Sequence, residues 1–387
     1  MKHIFIIGCK GIPAQYGGFE SFVENLTGRA VSGEIRYHVA CMGDRQERFS
    51  YHHADCFRVA VPKIGPAKAV WYDIAAFRQC IRIMKEEGIR EPVVYVLACR
   101  IGPFVGHLKR KLRRFGGKLY VNPDGHEFKR AKWNALIRRY WKFSEGGMVK
   151  HADLLICDSK NMERYIQTEY SKKKPATAYI AYGTDDHLPA ADGKRLQEWY
   201  AEHGLRREGY YLVVGRFVPE NNYETIIREF MRTDTDKRLV FITNVEHNRF
   251  YDHLREATHF AEDARIIFAG TVYDGELLAQ IRANAYGYLH GHEVGGTNPS
   301  LLEALATTEL NLLLDVGFNR EVAEDSAIYW NKEPGSLAGL IREGDRMHKE
   351  QRMQLGERAK ERMRRFYGWS SIVEQYERLF LSEGGAR

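Results

Sequence analysis

Short apolar, β-branched runs alternate with amphipathic segments along the whole chain, and this alternation limits the possible folds more than any other feature. We predict strands in the first half at 3–7, 36–41, 56–61, 93–98, 118–121, 154–157 and 177–181. The second half repeats the pattern at 210–214, 238–243, 265–268, 286–289, 311–314 and 327–329. The helices predicted between them include 19–30, 67–85 and 132–145. Apolar runs separated by helices are typical of parallel, doubly wound sheets.

The length of the chain favours two such sheets. A single hydrophobic core stops growing near about 250–300 residues, and this chain has 387. The polar segment 185–193 separates the two sets of strands and reads as a linker. The sequence therefore predicts an α/β protein with two Rossmann-like doubly wound domains, 1–185 and 186–367. We expect them to face each other across a ligand cleft.

Composition and spacing argue against several other classes of protein. No run reaches the roughly 18 apolar residues that a membrane-spanning helix needs. The apolar start at 4–7 is too short for the core of a signal peptide. The six cysteines, at 9, 41, 56, 80, 99 and 157, show no CxxC spacing. We therefore expect reduced cytoplasmic thiols rather than disulfides or a zinc site.

The basic residues are concentrated in one window. The net charge of the chain is +7, yet residues 101–150 carry +10, so the remainder is slightly acidic. The basic residues of this window are Lys109, Arg110, Lys111, Arg113, Arg114, Lys118, Lys129, Arg130, Lys132, Arg138, Arg139, Lys142 and Lys150. The apolar residues that recur there at helical spacing are Trp133, Leu136, Ile137, Tyr140 and Trp141. Two interpretations stay open: a core-facing helix with a solvated basic face, or a helix on an anionic membrane surface.

A glycine-rich turn follows the first predicted strand, in residues 8–20. Glycines allow backbone N–H groups to approach an anionic or sugar ligand at a helix N-terminus, which makes Gly17, Gly18 and the nearby Glu20 candidate site residues. The glycine spacing matches neither the dinucleotide fingerprint G-x-G-x-x-G nor a P-loop. The alternative is a turn that only connects the strand to the helix.

Charged residues follow another predicted strand, in residues 122–130. Asp124 is a candidate to position or deprotonate a hydroxyl nucleophile. His126 and Glu127 are rival candidates, and spacing alone does not rank the three. The alternative interpretation is an Asp-Gly turn with solvated charges.

An arginine stands at the corresponding strand end of the second half. The guanidinium of Arg216 is suited to bind a diphosphate, because charge-assisted hydrogen bonds to phosphate are strong. Asn221 and Asn222 are predicted to cap the following helix, whose N-terminus also favours phosphate. The alternative is a capped helix beside a surface arginine.

A polar, glycine-containing loop in residues 290–298 precedes a helix that we expect to begin near 297–299. The Thr297 hydroxyl and the first N–H groups of the helix are candidates to hold a phosphate. Glu303, about one and a half turns into the helix, is a candidate for a ribose. Two histidines and a glutamate alternate in the loop without further ligands, so no metal site is expected.

Taken together, these segments resemble the GT-B glycosyltransferases of glycosyltransferase family 4, and more narrowly their bacterial rhamnosyltransferase branch. The segments that carry the resemblance are 16–20, 122–125 with 129–133, 152–153 to 158–159, 181–185, 215–216 with 219–222, 293 to 303–304, and 367–369. They span nearly the whole chain in order. In the family the last helix, here about 368–387, packs back on the first domain.

The resemblance implies a nucleotide-sugar donor on the second domain and an acceptor on the first. Arg216 matches the arginine that holds the donor diphosphate, but Asn221 replaces the family's lysine five residues later. Glu303 matches the second of two paired glutamates, whereas Gly295 stands at the position of the first. Glu293 is the nearest substitute.

The resemblance also distributes roles among the candidate residues. The implied catalytic residues are Asp124, which replaces a cleft histidine of many relatives, Arg216 and Glu293. The implied donor contacts are Gly17, Gly18, Arg216, Asn221, Asn222, Gly296, Thr297, Asn298 and Glu303. The residues assigned to the acceptor or its lipid diphosphate are Glu20, His126, Lys129, Arg130 and Lys132.

The implied reaction is a transfer that retains anomeric configuration and uses neither metal nor cofactor. The branch suggests dTDP-L-rhamnose as donor and a polyprenyl-diphosphate-linked sugar as acceptor, with a β-1,4 linkage, in cell-wall or capsular polysaccharide synthesis. The enzyme would then act in the cytoplasm at the inner face of the cell membrane, held there by the basic window. Three alternatives stay open: a glucose or N-acetylglucosamine transferase that uses a UDP-sugar, an NAD-dependent oxidoreductase, and a nucleic-acid-binding protein.

Overall fold

The computed structural model describes residues 1–14, 17–62, 64–129, 133–185 and 193–382. The chain divides into two compact units: unit 1 is Met1–Gly183 with Trp369–Arg387, and unit 2 is Thr184–Gly368. The division falls between 183 and 184, and the sequence predicted it between 185 and 186. Most of the predicted linker, 186–192, lies outside the described residues, as do Arg130 and Lys132.

Each unit contains one sheet. The strands of unit 1 are β1 (Lys2–Ile7), β2 (Ile35–Gly43), β3 (Arg48–Tyr51), β4 (Ala54–Ala60), β5 (Val93–Leu97), β6 (Lys118–Asn122), β7 (Leu154–Cys157) and β8 (Thr177–Tyr179). Their order is β3-β4-β2-β1-β5-β6-β7-β8. The strands of unit 2 are β9 (Tyr210–Val214), β10 (Arg238–Ile242), β11 (Ile266–Phe268), β12 (Gly287–His290), β13 (Asn311–Leu314) and β14 (Ile328–Trp330). Their order is β11-β10-β9-β12-β13-β14.

Helices connect the strands. Those of unit 1 are α1 (Gly18–Gly28), α2 (Lys68–Glu86), α3 (Gly102–Arg113), α4 (Ala135–His151), α5 (Lys160–Glu169) and α14 (Trp369–Leu381). Those of unit 2 are α6 (Lys194–His203), α7 (Tyr223–Met231), α8 (Arg249–Thr258), α9 (Gly275–Ala283), α10 (Pro299–Thr307), α11 (Gly317–Ala323), α12 (Ser336–Arg346) and α13 (Lys349–Tyr367). Within the described ranges no helix is both long and apolar enough to cross a bilayer.

The strand pairing confirms the predicted α/β fold class. Neighbouring strands pair in parallel throughout the described sheets, with one exception, the antiparallel pair β3 and β4. The predicted strands are all present, with ends shifted by at most two residues. Strand β3 was not predicted, because its four residues alternate between exposed and half-buried positions and contain no buried apolar run. All six cysteines are buried and unpaired, as expected for reduced thiols.

Strand β1 shows why the pattern of apolar runs predicted parallel sheets. Phe5 and Ile7 lie in one core cluster with Phe77 of α2, whereas Ile4 and Ile6 point to the opposite face and are equally buried. A strand covered by helices on both faces needs an apolar residue at every position, since successive side chains point to opposite faces.

Helix α14 covers part of the sheet of unit 1. The ring of Tyr376 lies 6.0 Å from that of Tyr95, and the two hydroxyl oxygens are 3.2 Å apart. Phe380 packs 6.1 Å from the same tyrosine. The carboxylate of Glu377 accepts hydrogen bonds from the backbone of Val31, at 2.9 Å, and of the residue after it. The C-terminal segment is therefore part of the core of unit 1.

Each sheet reverses its winding direction beside its first strand. In unit 1 the reversal lies between β1 and β5, and in unit 2 it lies between β9 and β12. In parallel α/β sheets ligands bind outside the carboxyl ends of the strands at such a switch point. The predicted site residues follow these strand ends in each unit.

Candidate active site

The glycine-rich turn of unit 1 is held in place by a glutamate. Gly8 follows β1 at φ 100°, and a Cβ atom there would lie 2.2 Å from the carbonyl oxygen of Leu97. No larger residue fits this close approach of two strand ends. Glu20 accepts a hydrogen bond from the backbone N–H of Lys10 at 2.6 Å and is 8% exposed. In the structure its carboxylate positions the turn, and its assignment to the acceptor stays a prediction.

Gly17 and Gly18, predicted to contact the donor, form the start of α1. Gly17 is the N-cap residue with φ 135° and makes no side-chain cap. A Cβ atom on Gly17 would lie 1.9 Å from a carboxylate oxygen of Glu20. The positive φ and the close approach of the Glu20 carboxylate both favour glycine at this position.

An arginine that the sequence analysis missed lies at the switch point of unit 1. Nη1 of Arg100 donates to the carbonyl of Gly8 at 2.7 Å and to the carboxylate of Asp73 at 3.3 Å. Asp73 is fully buried, and burial raises its pKa to about 6, against the opposing effect of the arginine. Nε and Nη2 of Arg100 make no hydrogen bond within the described residues. Its position just after the strand predicted at 93–98 was a signal that could have identified it.

The segment after β6 adopts a strained backbone. Asp124 and His126 both have positive φ, 55° and 44°, a conformation that costs energy for residues other than glycine. The side chain of Asn122 accepts from the backbone N–H of Asp124 at 2.8 Å and holds the turn. The residues that line the small hollow beside this turn include Asp124, Glu127, Phe128, Trp141 and Glu145.

The three candidates that the sequence left unranked have different surroundings in the structure. Burial, with the charges of Lys129 and Lys142, lowers the pKa of His126 to about 4, so its imidazole is neutral near pH 7. The carboxylate of Glu127 accepts from the indole N–H of Trp133 at 2.9 Å. Asp124 lines the hollow and accepts from the backbone of the next residue. Asp124 and Glu127 both line the hollow, and the choice of acid–base group among the three stays a prediction.

A buried glutamate that the sequence did not indicate supports this hollow. One carboxylate oxygen of Glu145 accepts from the hydroxyls of Tyr165 and Tyr170, both at 2.6 Å, and from Lys142 at 3.4 Å. Lys142 also pairs with Glu169 at 2.8 Å. The lysine therefore neutralises local carboxylates.

Of the three cations assigned to a lipid diphosphate, the structure describes one. Lys129 is exposed, and Arg130 and Lys132 lie outside the described residues. Lys109, counted in the basic window, is 7% exposed and pairs with Asp153 at 2.5 Å. The net charge of the window therefore overstates the charge available to a partner.

The switch point of unit 2 presents the predicted arginine. Arg216 follows β9, and its side chain is exposed and makes no hydrogen bond or ion pair within the described residues. Its backbone carbonyl accepts from the side chain of Asn221 at 2.6 Å. The guanidinium is thus free to bind an anion while its backbone is fixed.

The side chains of the two asparagines after this arginine form hydrogen bonds within the protein. The carbonyl oxygen of Asn221 lies 2.8 Å from Nδ1 of His292, and Asn222 donates to the carbonyl of Gly291 at 2.7 Å. Both asparagines are 9% exposed. Asn222 stands at the N-cap position of α7, as predicted, but it adopts φ 54° and its side chain makes no capping hydrogen bond to the helix. The asparagines instead join the loops after β9 and β12.

The two glutamates of the donor assignment are both paired with cations. Glu303 lies 2.6 Å from Nη2 of Arg282 but keeps 47% of its side-chain surface exposed. Glu293 forms an ion pair with Lys332, which follows β14. Neither cation was identified from the sequence, because each lies far along the chain from its partner.

The loop before α10 provides a helix N-terminus, as predicted. The helix begins at Pro299, and the side chain of Asn298 caps it by accepting from Ser300 N–H at 2.9 Å. Gly296 and Thr297 are buried just before this cap. The hydroxyl of Ser300 lies 3.3 Å from the carbonyl of Val214 at the end of β9, so the helix start is fixed to the strand that carries Arg216.

No group of three or more side chains suited to a metal ion occurs in the part of the chain that the structure describes. The prediction that the reaction needs no metal stays a prediction.

The chain is similar in structure to known proteins. Residues 1–185 match the model of a domain of unknown function, DUF1972, and no curated protein matches the chain. The structure is similar to that of sucrose-phosphate synthase from Thermosynechococcus elongatus, with TM-score 0.79, 17% identity and 98% of both chains covered.

Two trehalose-phosphate synthase structures are also similar. The E. coli protein bound with UDP-2-fluoro glucose has TM-score 0.72 and 11% identity, over 99% of this chain and 100% of that one. The Burkholderia xenovorans enzyme in complex with glucose-6-phosphate has TM-score 0.75 and 12% identity, over 99% and 100%. These similarities show that the chain has the GT-B glycosyltransferase fold.

Proposed function

We propose that this protein is a retaining glycosyltransferase that transfers L-rhamnose from dTDP-L-rhamnose to a polyprenyl-diphosphate-linked sugar. The observation that carries the proposal is the unpaired, exposed guanidinium of Arg216 at the switch point of a GT-B fold. The sugar and lipid identities rest on the resemblance to the rhamnosyltransferase branch of family 4. The product would be a β-1,4-linked sugar for cell-wall or capsular polysaccharide.

The chemistry needs stabilisation of the departing nucleoside diphosphate. Arg216 and the N-terminus of α10 are preorganised donors for the charge that develops there. Asn221 and Asn222 fix the loops around the site rather than contact phosphate. The ion pair of Glu303 with Arg282 leaves nearly half of the Glu303 side chain exposed, and its carboxylate would accept a hydrogen bond from a ribose hydroxyl. In unit 1, Asp124 would orient the acceptor hydroxyl and Arg100 would meet an anionic group of the acceptor.

The alternative with a specific observation behind it is a UDP-sugar donor. The E. coli trehalose-phosphate synthase structure of the same fold holds UDP-2-fluoro glucose. A thermal-shift screen of dTDP-L-rhamnose, UDP-glucose and UDP-N-acetylglucosamine separates the two. We expect the thymidine nucleotide to raise Tm, and transfer to a lipid-diphosphate sugar to survive EDTA. Stabilisation by the UDP-sugars alone would reject the rhamnose assignment, and stabilisation by none would reject the enzyme.

We also propose that unit 1 binds the inner face of the cell membrane through the first half of α4. Leu136 is 80% exposed and Phe143 is 68% exposed. They lie seven residues apart, on one face of the helix, with the exposed Arg139 between them. The second half of α4 packs into the core through Met148 and Val149. Apolar side chains beside cations suit an anionic bilayer surface, where each cation contributes about 1 kcal/mol.

Vesicle sedimentation tests this surface. Replacing Leu136 and Phe143 with serine should weaken binding to phosphatidylglycerol vesicles while transfer to a water-soluble acceptor analogue is kept. The matched control replaces two other exposed apolar residues, Val31 and Phe366, with serine. Equal binding by both double variants would contradict the membrane assignment.

A further inference from the structure

A cavity in unit 1 lies outside the site described above. It has a volume of about 320 Å³ and opens between the end of β4 and one face of α2. That volume is at the lower end of the range of small-molecule sites, about 300–1,000 Å³. It shares no lining residue with the hollow beside Asp124.

Three guanidinium groups line this cavity: Arg58 from β4, and Arg78 and Arg82 from α2. No acidic residue is among the described residues that line it. Arg58 is paired with Glu47 at 3.4 Å and lies over a phenylalanine ring. One of the three charges is therefore compensated.

The other two charges have no partner in the described ranges. Arg78 and Arg82 lie one turn apart on α2, are both exposed, and make no hydrogen bond or ion pair there. The nearby acidic residues Glu86 and Glu87, at the end of the same helix, pair with Arg48 instead, at 3.1 and 2.7 Å. Two uncompensated guanidiniums match the charge of a phosphate monoester, about −1.5 to −2 near pH 7.

The remaining walls suit the body of a sugar. Trp71, 40% exposed, lies two turns before Arg78 on the same face of α2 and offers a flat apolar surface. The side-chain amides of Gln46 and Gln79 line the cavity and can donate to or accept from hydroxyl groups. The arrangement therefore combines a cationic end, an aromatic face and neutral polar groups.

We infer that this cavity is a binding site for a phosphorylated sugar, with the phosphate on Arg78 and Arg82 and the sugar ring on Trp71. The site is separate from the proposed transfer reaction, and binding there does not depend on it.

Calorimetric titration of the full-length protein with glucose 6-phosphate, inorganic phosphate and glucose tests the inference. We expect saturable binding of glucose 6-phosphate, weaker binding of phosphate and no binding of glucose. The double substitution Arg78→Gln and Arg82→Gln should weaken glucose 6-phosphate binding at least tenfold. Tryptophan fluorescence should change on binding, and Trp71→Phe should remove that change.

The matched control is Arg110→Gln with Arg114→Gln, two exposed arginines at the same spacing near the end of α3. This variant should bind glucose 6-phosphate as the unmodified protein does. Equal loss of affinity in both double variants would indicate a non-specific charge effect and overturn the assignment. Unchanged affinity in the Arg78 and Arg82 variant, or no binding by the unmodified protein, would overturn it as well.

Discussion

At the scale of single residues, polar side chains that follow the same strand have two different roles. Arg216 and Asn221 follow the same strand, yet the arginine side chain reaches solvent and the asparagine is buried against His292. Glu20 likewise closes a backbone turn rather than facing solvent. A polar residue at a switch point is therefore a ligand contact only when its side chain has no better partner inside the protein.

Replacing Arg216 with glutamine should reduce transfer by about 100–1,000-fold, because one preorganised donor to the diphosphate is removed. The residue is exposed, so Tm should not change. Steady-state kinetics and a thermal melt measure both effects. Arg249→Gln is the control, since Arg249 is an exposed, unpaired arginine in the described part of unit 2. Full activity in the Arg216 variant would remove it from the site.

Replacing Asp73 with alanine should lower the free energy of unfolding by about 3–5 kcal/mol, because a mostly buried arginine, Arg100, loses its charge partner. Double replacement of Asp73 and Arg100 by apolar residues should recover part of that loss. Urea denaturation of the unmodified protein, the two single variants and the double variant measures the coupling. Additive losses would show that the two groups do not interact.

At the scale of elements, helix α14 shows that a segment at the end of the chain completes the core of the first unit. Its apolar face contributes Tyr376 and Phe380, which contact aromatic rings of β-strands in unit 1. Its buried Glu377 fixes the backbone after α1. Unit 1 therefore requires both ends of the chain.

Replacing Tyr376 with alanine should destabilise unit 1 by about 3–5 kcal/mol, the usual cost of removing a fully buried aromatic ring. Arg378→Ala is the control on the same helix, because its exposed ion pair with Glu374 contributes about 0.3–0.5 kcal/mol. Urea unfolding measures both. A similar small effect from the two substitutions would mean that α14 does not contribute to the core.

At the scale of the whole molecule, buried histidines make stability depend on pH. Burial lowers the pKa of His290 to about 3 and that of His38 to about 4. Between about pH 6.5 and 4 the unfolded chain binds protons at these positions that the native protein does not, so stability decreases as the pH falls. Asp73 acts in the opposite direction, since burial raises its pKa to about 6.

Comparison with a His290→Gln variant isolates one of these contributions, because the effect of Asp73 is common to both proteins. The unmodified protein should lose more free energy of unfolding between pH 7 and pH 5 than the variant does. Urea denaturation at the two pH values measures the difference. Equal losses would show that His290 takes up its proton as readily in the native protein as in the unfolded chain.

The sequence by itself determined the fold class and the positions of the strand ends. Runs such as 93–98 and 210–214 are apolar at every position because both faces of a parallel sheet are covered, and that requirement is local and visible in the chain. Because these runs show where the strands end, the glycines after β1 and the arginine after β9 could be predicted to lie at strand ends. Strand β3 could not be predicted, because an edge strand does not need an apolar residue at every position.

Only the tertiary structure decided which of these polar residues are available to a ligand. The cations paired with Glu303 and Glu293 lie 21 and 39 residues away along the chain, and the two tyrosines bound to Glu145 lie 20 and 25 residues away. Gly8 and Asp73, which hold Arg100, lie 92 and 27 residues from it. Ion pairs and buried hydrogen bonds depend on distances of about 3 Å across the fold, and a sequence pattern records only neighbours along the chain. The candidate site residues could therefore be predicted from the sequence, but the contacts that each of them makes in the fold could not.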